Sequence, residues 1–404
     1  MTTTTTPSTR RFELDWLRVL AIAAVFLFHS GRFFDSPDWH VKNSTTYPAL
    51  EIITALAIVW MMPLLFTISG ASTFYALRNR SGGAFLKDRA LRLLVPLAVG
   101  VFTHIAWQVY LERTTHHQFS GSFWQFLPHY FDGWYGFGGN FAWMGLHLWY
   151  LEMLFIFSLI LLPVFLWLRQ GVGRALLDWL GDRLAAPGAI YLLALPIMLM
   201  VALPDPNSIL GGRFFGGWSL LGYLPIFLNG FILVSHDRLY ERVRRGRWVS
   251  LAAAAGLTVG LFAWYTAAGE PRFGTAHHTA LFSLYGLCSW CWVLAILGLA
   301  AQHLRFGNAF LASANEAVLP FYVLHQTVLL TVGSFVVRWA VPDLAKWASI
   351  ALISLPLCLS LYWFVIRPVN LLRFLFGMKP HGSAHQPGSV RARRSMIRSI
   401  LPGS

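Results

Sequence analysis

Arg18 and His29 stand eleven residues apart in an otherwise apolar run, LDWLRVLAIAAVFLFHS. Eleven residues of α-helix turn through about 1100°, some 20° past a whole number of turns, and rise about 16 Å. The two side chains therefore share one helix face, and Asp15, Ile22, Val25 and Arg32 fall on the same stripe at steps of three and four. Ionisable groups inside an apolar span are costly, so each is a candidate for function. One helix would carry a cation near one surface and an imidazole toward the other. The imidazole suits proton transfer near neutral pH. The cation suits an anionic substrate head, and the apolar stripe between suits its elongated arm. The plainer alternative is an Asp15–Arg18 pair at the interface with His29 among lipid headgroups.

Other residues could join that chemistry. Arg89 and Arg92, in RNRSGGAFLKDRALRLLVP, lie at i and i+3 near a helix start and point the same way. Paired guanidinium groups bind phosphate well, and they also anchor a helix on the positive side of a membrane. His147 and Glu152 sit in GLHLWYLEMLF, and Glu316, Tyr322 and His325 in SANEAVLPFYVLHQTVLL. Tyr322 and His325 share a face. His116, His117, His129, His277 and His278 lie in or beside expected outer loops without metal-ligand spacing, and no metal is expected.

The elements that must hold these side chains follow from composition. Of 404 residues, 56% are apolar and only 12% charged, about half the roughly 25% of soluble domains. Such a chain cannot cover its apolar surface with polar groups, which excludes a soluble enzyme and a disordered scaffold. A net charge of +14 would suggest nucleic acid in a soluble protein; here no nucleic-acid partner is expected, because the positive residues follow a membrane pattern.

Ten segments reach the ~20 residues needed to cross a bilayer: near 14–34, 49–77, 91–111, 146–168, 188–204, 218–235, 249–268, 278–301, 314–337 and 344–366. The expected fold class is an all-α polytopic integral membrane protein of about ten transmembrane helices. Its membrane domain spans 12–376, between disordered tails at 1–11 and 377–404, the second basic and suited to anionic lipid. Of 31 Lys and Arg, 23 fall on the face shared by both termini and seven on the other, with Arg18 inside the first span. Positive residues favour the cytoplasm, so both termini are expected there. The first span is too long and too charged for a cleaved signal peptide. Cys288, Cys291 and Cys358 lie in apolar runs and read as packing residues.

The outer loop near 112–145 ends in FDGWYGFGGNFAWMG. Its aromatic faces suit sugar rings or an interfacial belt.

These residues together resemble acyltransferase family 3, the integral membrane acyltransferases. Arg, ten residues, His is matched by Arg18 and His29, and R-x-x-R before the third span by Arg89 and Arg92. MPLLFTISG (62–70), HLWYLEMLF (147–155), NEAVLPFYVLHQ (315–326) and RPVNLLRFLFGMKP (367–380) follow in the family's order. The resemblance implies acyl transfer from cytoplasmic acyl-CoA, succinyl-CoA or acetyl-CoA, to a hydroxyl of a periplasmic or surface glucan or other carbohydrate, in a bacterial inner membrane. Arg18, Arg89 and Arg92 would then hold the donor. His29 would be the central catalytic residue, as general base or as acyl-carrying nucleophile. Arg18 would bind donor or oxyanion. Glu152, Glu316 and His325 would orient His29 or the acceptor. The rival reading is a transporter or flippase for glycans or lipid-linked sugars, although no repeated broken-helix halves are visible.

Overall fold

The computed structural model describes residues 10–213 and 215–381. Among them the chain is helical throughout and forms no β-strand. Twelve helices of nine residues or more follow in order: α1 (Phe12–Gly31), α2 (Ala49–Arg78), α3 (Gly82–Phe102), α4 (His104–Thr115), α5 (Trp149–Trp167), α6 (Gly171–Leu184), α7 (Ala194–Ala202), α8 (Leu220–Leu233), α9 (Asp237–Ala268), α10 (Ala276–His303), α11 (Ala309–Val336) and α12 (Asp343–Ser360). Six of these elements are long and apolar enough to cross a membrane, seven if α3 and α4, bent by 44° at Thr103, count as one span. They include α5 with the turn before it and α12 with the π-helical turn Leu361–Ile366 after it.

The remaining expected spans take other forms. α1 fills the first but carries Glu13, Asp15 and Arg18. The segments expected near 188–204 and 218–235 are shorter apolar helices, Ala189–Ala202 and Leu220–Leu233. The first of these restarts as α7 with Pro196 in its opening turn, where a missing N–H costs nothing.

Two of the helices that carry candidate residues start at side-chain caps. Ser81 accepts from the Ala84 amide ahead of α3, and Asn308 from the Leu311 amide ahead of α11; each such cap contributes about 1 kcal/mol. The caps fix where Arg89 and His325 fall along their helices. α2 and α8 touch backbone to backbone. A Cβ on Gly70 would sit 1.9 Å from the Phe227 carbonyl oxygen, and one on Gly230 would sit 2.0 Å from that of Thr67. Small residues permit this approach, which replaces the hydrophobic drive that lipid does not supply.

One end of the bundle collects the basic segments. Arg11 pairs with Asp237 at 3.1 Å and lies over the Tyr240 ring, and Arg373 pairs with Glu316 at 3.0 Å. Most of the two terminal tails lies outside the described residues. Of what is described, Arg10 bonds Asp15, and the Met378 amide donates to the Arg373 carbonyl. Cys288, Cys291 and Cys358 are buried.

Candidate active site

α1 presents the expected face. Ile22 and Val25 are 6% and 3% exposed, whereas Leu20 and Leu27 on the opposite side are 48% and 53% exposed. The ridge carrying Arg18 and His29 therefore looks into the protein.

At its outer end three imidazoles meet. The Tyr322 carbonyl can only accept, so His325 donates its Nδ1–H to it at 2.7 Å. In the neutral ring His325 Nε2 must then accept, and it lies 2.9 Å from His29 Nδ1. That fixes the His29 tautomer: Nδ1 carries the hydrogen and Nε2 keeps its lone pair. Nε2 makes no hydrogen bond among the described residues. His147 stands edge-on to His325, ring centroids 5.0 Å apart. It donates from Nε2 to the Val323 carbonyl at 3.2 Å, which leaves its buried Nδ1 without a partner among the described residues. Tyr322 donates its hydroxyl to the His147 carbonyl. Gly145 and Leu146 just before it both have positive φ, +72° and +50°, a cost of about 1–2 kcal/mol at the leucine. The Trp39 indole lies within 6° of parallel to the His29 ring, at a centroid separation of 6.1 Å.

The inner end is a different construction. Arg18 donates to Asp15 at 3.3 Å, to the Asn315 amide oxygen at 3.0 Å and to the Ser72 hydroxyl at 2.9 Å. Arg89 donates to the Thr73 hydroxyl at 2.9 Å and has no carboxylate within ion-pair distance among the described residues. Between the two ends, the Ser69 and Tyr150 hydroxyls bond each other at 2.7 Å, and the Tyr150 ring lies 6.0 Å from that of Tyr322. A seam of polar groups thus runs from Arg89 and Arg18, past Ser72 and Ser69, to Tyr150, Tyr322 and the histidines. α1 supplies Arg18 and His29 and α3 supplies Arg89, while α2, α5 with the turn before it, and α11 supply the rest.

The other expected residues fall into place unequally. His29, His147, Tyr322 and His325 come together. Arg89 and Arg92 part company: Arg89 turns inward, and Arg92 pairs with Asp88 at 3.4 Å with its side chain 41% exposed. Glu316 is held by Arg373 and Arg367, nine residues and about 13 Å of helix rise from His325. Glu152 makes no hydrogen bond to the histidines and keeps one buried carboxylate oxygen unpartnered among the described residues. Trp134 and Phe137 in the Gly-rich outer loop are exposed, and Arg113 ties that loop through Asn140 and the Gly139 carbonyl. Ser69, Ser72, Thr73, Tyr150 and Asn315 escaped the sequence reading. The first three stand at helical spacing in MPLLFTISGAST, a polar stripe in an apolar run that could have flagged them.

Residues 11–363 match the model of a family described as an acyltransferase domain. Proteins named glucans biosynthesis protein C from Salmonella heidelberg and Salmonella agona are each 23% identical over 389 residues, covering 93% of this chain and 96% of theirs. The same-named protein of Salmonella paratyphi B is 23% identical over 399 residues. No solved structure matches the chain. The buried Arg18-to-His29 ridge and the family match over nearly all of the membrane region agree: the chain belongs to acyltransferase family 3, the integral membrane acyltransferases.

Proposed function

We propose that this acyltransferase takes an acyl group, succinyl or acetyl, from acyl-CoA at its basic end and delivers it to a hydroxyl of a glucan or other carbohydrate at its histidine end. In this reading the basic end faces the cytoplasm of a bacterium, with both termini there, and the helices sit in the inner membrane as ten crossings. The observation that carries it is His29, with Nδ1 held by His325 and Nε2 free. An imidazole so held has one lone pair to offer and a neighbour to share the proton it gains. Arg89 suits the donor's phosphates, because a part-buried guanidinium whose hydrogen-bond partner is a neutral hydroxyl still has charge to satisfy. The glucan acceptor is supported by the names of the Salmonella relatives.

The test is release of free CoA thiol, with recovery of acylated carbohydrate, from the purified chain in vesicles given acetyl-CoA or succinyl-CoA and a glucan oligosaccharide. His29→Ala should lower both by ~10²- to 10⁴-fold, the range of a lost acid–base group, while its melting temperature holds. Undiminished turnover in the variant overturns the assignment.

A further inference from the structure

Another imidazole with a free nitrogen lies on the far side of Trp39 from His29. His40 follows Trp39 in the loop between α1 and α2, its ring 5.5 Å from the indole that lies parallel to His29. It is 8% exposed and hydrogen-bonds through Nδ1 to the Glu112 carboxylate at the end of α4. Glu112 is held in turn by the Tyr135 hydroxyl at 2.8 Å and by Arg113 at 2.8 Å. Burial, with the Glu112 charge beside it, pushes the Tyr135 phenol above its ordinary range, so it stays a donor. The backbone is pinned as well: Thr115 donates to the His40 carbonyl at 2.8 Å, and His116 to the Trp39 carbonyl at 3.1 Å. A carboxylate can only accept, so His40 Nδ1 carries the hydrogen and Nε2 the lone pair. That Nε2 has no partner among the described residues. A buried carboxylate fixing one ring nitrogen while the other stays free is the arrangement of an oriented base.

We infer that His40, positioned by Glu112, is the base that deprotonates the acceptor hydroxyl. The inference rests on the acyl-transfer reading above and deepens it. Chemistry requires such a group if His29 carries the acyl chain. His29 Nε2 attacks the thioester carbonyl, the C–S bond breaks, and CoA leaves as thiolate. The His29 Nδ1 proton passes to His325 Nε2, leaving a neutral acyl-imidazole. Its Nε2 lone pair is now in the acyl bond and His325 is already protonated, so neither can accept a further proton, and the one free nitrogen of His147 is buried away from an entering acceptor. The acceptor's proton goes to His40 Nε2, where the Glu112 charge stabilises the imidazolium. The acceptor oxygen bonds the acyl carbon, the C–N bond breaks, and His29 Nδ1 recovers its proton from His325. The proton on His40 leaves to solvent, and the thiolate gains one.

The two steps separate experimentally. The purified full chain is given acetyl-CoA, with succinyl-CoA in a parallel arm. Methyl β-glucopyranoside is one acceptor, and hydroxylamine, which attacks without a base, is the other. His40→Gln should lose about a hundredfold or more of transfer to the sugar. It should keep hydroxylamine-dependent CoA release within a few-fold of wild type and accumulate an acyl adduct on His29, seen by peptide mass spectrometry. Glu112→Gln should act in the same direction, less strongly. If His40→Gln acylates the sugar at the wild-type rate, the inference fails. It fails equally if the variant loses sugar and hydroxylamine transfer together without an adduct, for then His40 only props up the Trp39 loop. If wild type releases no CoA from either donor, the acyl-transfer reading falls and the inference with it.

Discussion

The two ends of the polar seam solve the same problem in opposite ways. At the inner end, two guanidinium groups are met mainly by neutral partners: Ser72 and Asn315 for Arg18, beside its single carboxylate Asp15, and Thr73 for Arg89. Positive charge is left over, ready for an anion. At the outer end, His29, His325 and His147 satisfy one another and main-chain carbonyls, and the described ring bonds include no carboxylate. Lone pairs are left over there, ready for a proton or an electrophile. On the proposed reading the inner end holds the donor and the outer end reacts, so substitutions at the two ends should separate in kcat and KM.

The largest effect should come from His325→Ala, which frees the His29 ring and its tautomer. We expect kcat to fall about a hundredfold or more, as for the orienting member of a catalytic triad, with donor KM nearly unchanged; steady-state CoA release measures both. Next is Arg89→Ala. Loss of a charge-assisted contact of about 1.5–3 kcal/mol should raise donor KM ~10- to 100-fold and leave kcat near wild type. The opposite split in either variant would dissolve the distinction between the ends. Glu316→Gln should be smaller and of another kind. It strips Arg373, 6% exposed, of its carboxylate. Glu316 itself is one-third exposed, so screening reduces the loss to about 1–2 kcal/mol. A lowered melting temperature with unchanged kcat is the expected signature. Arg92→Ala removes a surface pair worth less than about 1 kcal/mol, and activity should stay within twofold.

The α1 ridge was readable because a helix repeats every 3.6 residues and the ridge holds two ionisable groups one whole number of turns apart. Its partners were less readable, for a physical reason: side chains neighbouring in sequence diverge by 100° per residue. Asn315 meets Arg18 while Glu316, next to it, meets Arg373, and the sequence reading chose the glutamate because it is ionisable. Arg89 and Arg92 are 60° apart around α3, enough for one to reach Thr73 and the other Asp88. The His29–His325 bond joins residues 296 apart, a separation no local pattern encodes. His147 depends on a left-handed leucine, and Trp39 and His40 lie in a loop without period. Hydropathy marked the apolar segments well, but it carries no helix length, and Ala189–Ala202 and Leu220–Leu233 are shorter than the other apolar helices.

Two features beside His147 are unfavourable for folding. Leu146 is kept at φ +50°, and the buried Nδ1 of His147 goes without a partner among the described residues, a desolvation cost of about 1–3 kcal/mol. Both concern the backbone and ring that Tyr322 and Val323 grip. On the proposed reading stability and activity pull against each other at this point, and a lineage selected for heat resistance alone would discard these two features early.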